Sequence, residues 1–321
     1  MAGILLSLAS GLLFGLTATA ADRGMKAGGT PLQALAVTIA VTSLAGGLVL
    51  AGQASAGTLI WPPDAAGLGA YAVAGLCGSL VGRFTNMAAV RRIGPARLTQ
   101  LSPSDTVFTL LASVLLVGDR LPIAAWLGVA AVLSGVTLIA TERAARPLAA
   151  RPRAAAAAAA ADHGAGGASP SAGRPGVDPL GVALGLLTGA LYAARNVLSD
   201  VGFRHLGSAL EGTAIGVIAS LLAYLAYFGL KGELSAHWPR GAEARRYFLL
   251  SGVYAVAAWF TFNEAIALAH APVATTLKNT TPLWTLAVGY GVYRNEERLG
   301  LRTVASALVI FAGVALIALR G

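Results

Sequence analysis

Asp119-Arg120-Leu121 and Glu297-Arg298-Leu299 are one turn met twice, about 178 residues apart. Each opens an apolar stretch, and the stretches close alike: Gly135-Val136-Thr137-Leu138-Ile139-Ala140 in one, Gly313-Val314-Ala315-Leu316-Ile317-Ala318 in the other. The register also holds at the front of each copy, where Gly11, Phe14, Asp22 and Gly24 correspond to Gly189, Tyr192, Asp200 and Gly202. In the middle it slips by one residue, aligning Asn86 with Asn263 and Pro95 with Pro272. Duplicated sets of membrane spans are how many secondary transporters are built, with a solute site where the halves meet.

Composition identifies the solvent. The 321 residues are 56% hydrophobic and 12% charged, with mean hydropathy +0.71. A soluble domain carries about a quarter charged residues. Lys, Arg, Asp and Glu are absent from residues 1–21 and 32–63, each long enough to cross a hydrocarbon core of about 30 Å as a helix. Strands of a barrel would alternate apolar and polar residues, which these do not. The first run lacks a basic region before it and reads as a retained helix, not a cleaved signal. The single cysteine, Cys77, excludes an intrachain disulfide. His163, His205, His237 and His270 fall in loops or at span ends, with no second His at i+4, so no metal site or cofactor is expected. The net charge of +9 lies in short connections between spans, as membrane topology requires, and does not indicate a nucleic-acid partner.

Apolar runs and their punctuation predict ten transmembrane helices in an all-α membrane protein: 2–21, 32–51, 67–90, 98–117 and 122–141, then 179–199, 209–230, 245–268, 272–293 and 299–319. Residues 1–141 and 179–321 form the two five-helix repeats, and 142–178 is a mobile Ala/Arg/Gly-rich linker. An odd number of spans per copy starts the second copy from the opposite side of the membrane. The repeats are therefore inverted.

Two sets of five spans with these signatures resemble the EamA-type branch of the drug/metabolite transporter superfamily. The resemblance rests on Leu101-Ser102-Pro103 and Thr281-Pro282-Leu283, on the two acidic-Arg-Leu turns, and on the two closing stretches. It covers everything but the linker. The aromatic position of each first helix, often Trp in the family, is Phe14 and Tyr192 here, and Asp119 stands where Glu is usual. The resemblance implies cytoplasmic termini. Charge counting implies the reverse: about 16 Lys/Arg fall in the odd-numbered connections, against Arg120, Arg204 and Arg320 on the other side.

Ionisable groups inside a span cost a few kcal/mol each and normally face a partner or a cavity. Equal depth on adjacent helices pairs Arg83 with Asp105 in the first half and Lys278 with Glu264 in the second. Lys278, Asn279, Arg83, Asn86, Asn263, Tyr192 and Asn196 are candidates for binding solute, and Glu264 and Asp105 for carrying a proton. Pro103 and Pro282 each remove a helical hydrogen bond, Pro282 freeing the carbonyl of Lys278 itself. Arg195 reads as close enough to its helix end to snorkel. Trp61, Trp238 and Tyr293 read as interface anchors.

No phosphate-binding loop is present, so any driving force is a gradient. Clustered catalytic groups are also missing, which argues against an enzyme. The expected function is a secondary transporter, exporter or exchanger, of a small, amino-acid-like metabolite in a prokaryotic plasma membrane. A flippase for lipid-linked carriers is the alternative. The partners are a small-molecule solute and the lipid bilayer, and a homodimer stays open.

Overall fold

The structure is a computed structural model, which describes residues 1–60, 63–86, 88, 89, 92, 101, 104–118, 123, 126–135, 178–281, 284, 305, 306, 308–310, 312, 313 and 316. All regular secondary structure among them is helical: α1 (Ala2–Lys26), α2 (Pro31–Ser55), α3 (Ala65–Asn86), α4 (Ser104–Val117), α5 (Trp126–Gly135), α6 (Pro179–Leu206), α7 (Ala209–Leu230), α8 (Ala242–Ala269) and α9 (Ala271–Lys278). Six of these, α1–α3 and α6–α8, are long and apolar enough to cross a membrane. Parts of the four other predicted spans, Pro103, Pro282, Trp61, Tyr293 and the linker up to residue 177 lie outside the described residues.

Polar residues at the predicted connections set the helix starts. Thr30 and Gln33 form a reciprocal capping box on α2, with Pro31 at the first helical position. Asp64 and Ser208 accept backbone N–H bonds at the starts of α3 and α7. Three helices run well past their predicted ends: α1 to Lys26, α2 to Ser55 and α6 furthest, to Leu206. Along the extension of α6, Arg204 reaches back one turn to Asp200 at 2.9 Å and neutralises the buried carboxylate.

Asp178 caps α6 by accepting from Leu180 and Gly181. The Gly181 N–H bond first, then Arg92 and Leu180, hold its carboxyl below the usual carboxylate range. A depressed folded pKa stabilises the fold above the unfolded value of about 4 and loses that contribution as pH falls through the folded value. Asp178→Asn retains a capping oxygen without the titration. It is expected to reduce the fall in melting temperature between about pH 5 and pH 2. An unchanged slope in detergent-solubilised protein would show that the cap does not report on folding.

The packing is an exchange between halves. The most extensive contacts are α1 with α8, α3 with α6, α4 with α6, α2 with α7 and α8, α3 with α7, and α1 with α9. Swapping the halves, so that α1 becomes α6 and so on, maps this set onto itself. The α1–α8 contact becomes α6–α3, α1–α9 becomes α6–α4, and α2–α8 becomes α7–α3. The α2–α7 and α4–α9 contacts map onto themselves, so the two-fold relation runs between those pairs. Small residues permit this interdigitation where the hydrophobic effect cannot drive it. At the α3–α7 crossing a Cβ on Gly75 would overlap the Gly216 carbonyl. Leu44, Leu48, Leu115, Leu116, Leu222 and Leu230 point outward and exposed, as a lipid-facing surface requires.

The helix ends sort onto two faces. Arg92 contacts Asp178 at 3.4 Å, and Arg23 lies over Tyr247, on the face that carries the excess of basic residues. On the other, His205 meets Asp64 at 2.8 Å, and Ile60 N–H donates to Glu211.

Candidate functional site

Between the halves the chain buries polar groups that lipid cannot satisfy. Asp105, in the first turn of α4, is 5% exposed. It accepts from Lys278 Nζ at 3.2 Å and from Asn279 Nδ2 at 2.7 Å. Asn279 also donates to Thr106 Oγ1 at 2.6 Å. Lys278 and Asn279 are brought here by the one-residue turn at His270, which folds α9 back along α8. Asp105 belongs to the first half and its partners to the second, so the cluster clasps α4 to α9 across the two-fold relation. The paired charges and added hydrogen bonds make the burial tolerable.

A chain of hydrogen bonds leads inward from the clasp. Thr109 Oγ1 donates to the Asp105 carbonyl and accepts from Asn196 Nδ2, which also reaches Thr275 Oγ1 at 3.1 Å. Asn196 Oδ1 accepts from Arg195 Nη1 at 2.9 Å. Arg195 Nη2 donates to Asn263 Oδ1 at 3.1 Å, and Asn263 Nδ2 donates to Thr213 Oγ1 at 2.7 Å. Helices α4, α6, α7, α8 and α9 are thereby joined through side chains.

Arg195 is the centre of this network. Its guanidinium carbon lies 3.9 Å from the centre of the Trp259 ring, a cation–π contact in a desolvated setting. Trp259 packs edge-on against Phe14, with ring centres 4.8 Å apart. On the far side, α3 carries a π-helical segment, Leu76–Val81, at this depth. Within it Gly78 leaves the space that the Arg195 side chain fills, since any Cβ there would overlap Arg195 Cδ. π segments are frequent at functional sites.

Two small adjoining cavities border the arginine. One, about 20 Å³, is lined by Arg195, Asn263, Thr213, Ser199 and Ser79 among others. The second, about 10 Å³, is lined by Arg83, Thr38, Thr42, Ser220 and Ser79. Ser79, Val217 and Trp259 line both. Volumes of this size admit about one water. Among the described residues, no Asp or Glu lines either cavity.

The sequence-based pairings are redistributed. Lys278 pairs with Asp105 of the other half, not with Glu264. Arg83, expected to pair with Asp105, makes no hydrogen bond or ion pair with a described residue and lines the smaller cavity instead. Pairing is decided by azimuth and by which helices of the other half lie alongside. Asp105 faces across the two-fold relation and not toward α3. Glu264 is partly buried without a hydrogen-bonding partner among the described residues. Asn196 and Asn263 join the Arg195 network, whereas their counterpart Asn86 makes no hydrogen bond with a described residue.

Tyr192 sits against Gly82, whose added Cβ would come within 2.8 Å of its ring. This mirrors Phe14 on Trp259, because Gly82 and Trp259 are equivalent positions in the slipped register. The large ring on one side and its absence on the other make the chamber asymmetric. Arg195 is not a snorkelling end residue: it is 6% exposed in mid-helix. The adjacent Arg195-Asn196 pair and the Arg204 counter-ion of Asp200 were the available signals. Trp259, Thr109, Thr213 and Thr275 carried none that distinguishes them from ordinary packing residues.

A helical chain with lipid-facing leucines outside and a polar network between duplicated halves defines a multi-pass membrane protein of the transporter class. More narrowly, the chain belongs to the EamA-like transporter family, whose model matches residues 1–141 and 179–319. A solved structure described only as the crystal structure of a protein superimposes with TM-score 0.69, covering 99% of this chain and 96% of that one at 17% identity. At that identity the likeness concerns the fold alone. No curated protein matches the sequence.

Proposed function

We propose that the protein is a secondary transporter of a small metabolite, working by alternating access with ten spans arranged as two inverted five-helix repeats. The observation that carries this is the continuous polar network from the Asp105–Lys278 clasp to Arg195, built from both halves and buried where lipid offers no hydrogen bonds. The self-consistent exchange of contacts between halves supports two related arrangements of similar energy, one opening to each side. In this reading the chamber is the solute site in a closed state. The clasp is a gate whose opening loosens Thr109 and Asn196, and with them the arginine. Glu264, a partly buried carboxylate without a hydrogen-bonding partner among the described residues, carries the coupling proton. The membrane is the plasma membrane of a prokaryote.

The test is flux of candidate metabolites in proteoliposomes under an imposed pH gradient. Glu264→Gln is expected to lose gradient-driven uptake, by about tenfold or more, while solute–solute exchange persists, because exchange releases no net proton. Driven uptake at the wild-type rate would remove Glu264 from coupling. The absence of mediated flux for every solute class tested would remove the transport reading.

A further inference from the structure

We propose that Arg83 and Arg195 bind a small organic anion through its carboxylate, in the chamber between the halves. This rests on the transport reading and narrows its solute from an amino-acid-like metabolite to an acid without a compensating ammonium.

The argument starts from uncompensated charge. Guanidinium stays protonated under any physiological condition, so neither arginine can escape the cost of burial by losing its proton. Lys278 has Asp105 as counter-ion. Among the described residues, neither Arg83 nor Arg195 has a carboxylate partner, and no acid lines the cavities they border. Two fixed positive charges facing cavities that share Ser79, Val217 and Trp259 leave a site whose missing component is an anion.

Geometry then selects the kind of anion. Arg195 directs two of its five N–H donors to Asn196 and Asn263, so three remain without an acceptor among the described residues. One face of its guanidinium is covered by Trp259. The plane is therefore held at two edges and one face, presenting donors in the fork that matches a planar carboxylate. Arg83, with no hydrogen bond to a described residue, can supply the second charge from α3. The lining hydroxyls of Ser79, Ser199, Thr213, Thr38, Thr42 and Ser220 suit the rest of a small oxygen-rich solute. An ammonium group would meet two cations and no carboxylate among the described lining residues, so a zwitterion is disfavoured. Because Arg195 is linked through Asn196 and Thr109 to Asp105, an anion that draws the guanidinium toward itself also pulls on the α4–α9 clasp. This ties occupancy to the gate.

The experiment uses the purified full chain in detergent, with melting temperature and equilibrium binding read against acetate, benzoate, succinate, benzamide, chloride and the zwitterion alanine. At least one of the three carboxylates should bind saturably and raise the melting temperature with concentration. Benzamide, alanine and chloride should bind at least about tenfold more weakly than that carboxylate. Arg83→Gln should weaken carboxylate binding at least about tenfold without lowering the ligand-free melting temperature, since no hydrogen bond to a described residue is lost. Arg195→Lys should retain more affinity than Arg195→Gln, because charge survives while the fork is lost.

The proposal is overturned if no carboxylate binds the folded wild type. It is also overturned if benzamide, alanine or chloride equals the best carboxylate, or if Arg83→Gln binds like wild type. The two readings fail separately. Carboxylate binding without flux in proteoliposomes would sink transport and leave the anion site. Flux of neutral or cationic solutes without carboxylate binding would do the opposite.

Discussion

Lys278→Ala is expected to reduce solute uptake by about tenfold or more and to lower stability by about 3 kcal/mol, the usual range when one partner of a buried ion pair is removed. Asp105 would keep its bonds from Asn279 and Thr106 but lose its only described cationic partner, 3.2 Å away. Asp105→Asn should cost less stability, because the amide oxygen still accepts from Lys278, whose side chain keeps 16% of its surface exposed, against 7% for the carboxylate. The informative variant is the exchange, Asp105→Lys with Lys278→Asp. If the pair only neutralises charge, exchange restores both melting temperature and uptake. If it is a gate wired to Asn279 and Arg195, exchange restores part of the stability but not uptake. The new ammonium would then face the Asn279 amide donor, and the polarity along the network to Asn196 would be reversed. Melting temperature and liposome uptake, measured on both singles and the exchange, separate the two. Full uptake by the exchanged protein would reduce the clasp to a structural ion pair.

Gly75→Val should be the most destructive single change in the described fold. A Cβ at Gly75 overlaps the Gly216 carbonyl, which is backbone and cannot rotate away, so α3 and α7 must separate. Overpacking costs about 1–3 kcal/mol when side chains can yield, and more is expected where only backbone can. The separation would also shift Tyr71 and Ser79, which border the chamber with Gly75 and Gly216. Loss of monodisperse protein, or a fall in melting temperature of many degrees, is the expected result. A milder comparison is Gly47→Val in α2, where an added Cβ meets nothing within 4 Å. It should express and melt like wild type. Equal behaviour of the two valine variants would mean that the α3–α7 crossing is not close-packed in the membrane.

The medium, the duplication and the family were legible in the chain alone. They depend on length, hydropathy and repeated local motifs, which are one-dimensional properties. That ionisable and amide groups fall inside apolar helices was legible for the same reason. Lys278, Asn279, Asp105, Asn196 and Asn263 could therefore be singled out as polar groups needing partners. Which partner each takes was not. Pairing depends on azimuth and on which helices of the opposite half lie alongside, and duplicated halves that interdigitate bring together residues about 173 apart in sequence, such as Asp105 and Lys278. Arg195 was misread because its span was ended at 199, whereas the helix runs on to Leu206, with Arg204 paired to Asp200 one turn back. Sequence determined that this chain must bury charge within two copies of one unit. Only the tertiary packing decided that its acid would go to Lys278 and that Arg83 and Arg195 would be left facing the chamber, because only there do azimuth and cross-half contact become fixed.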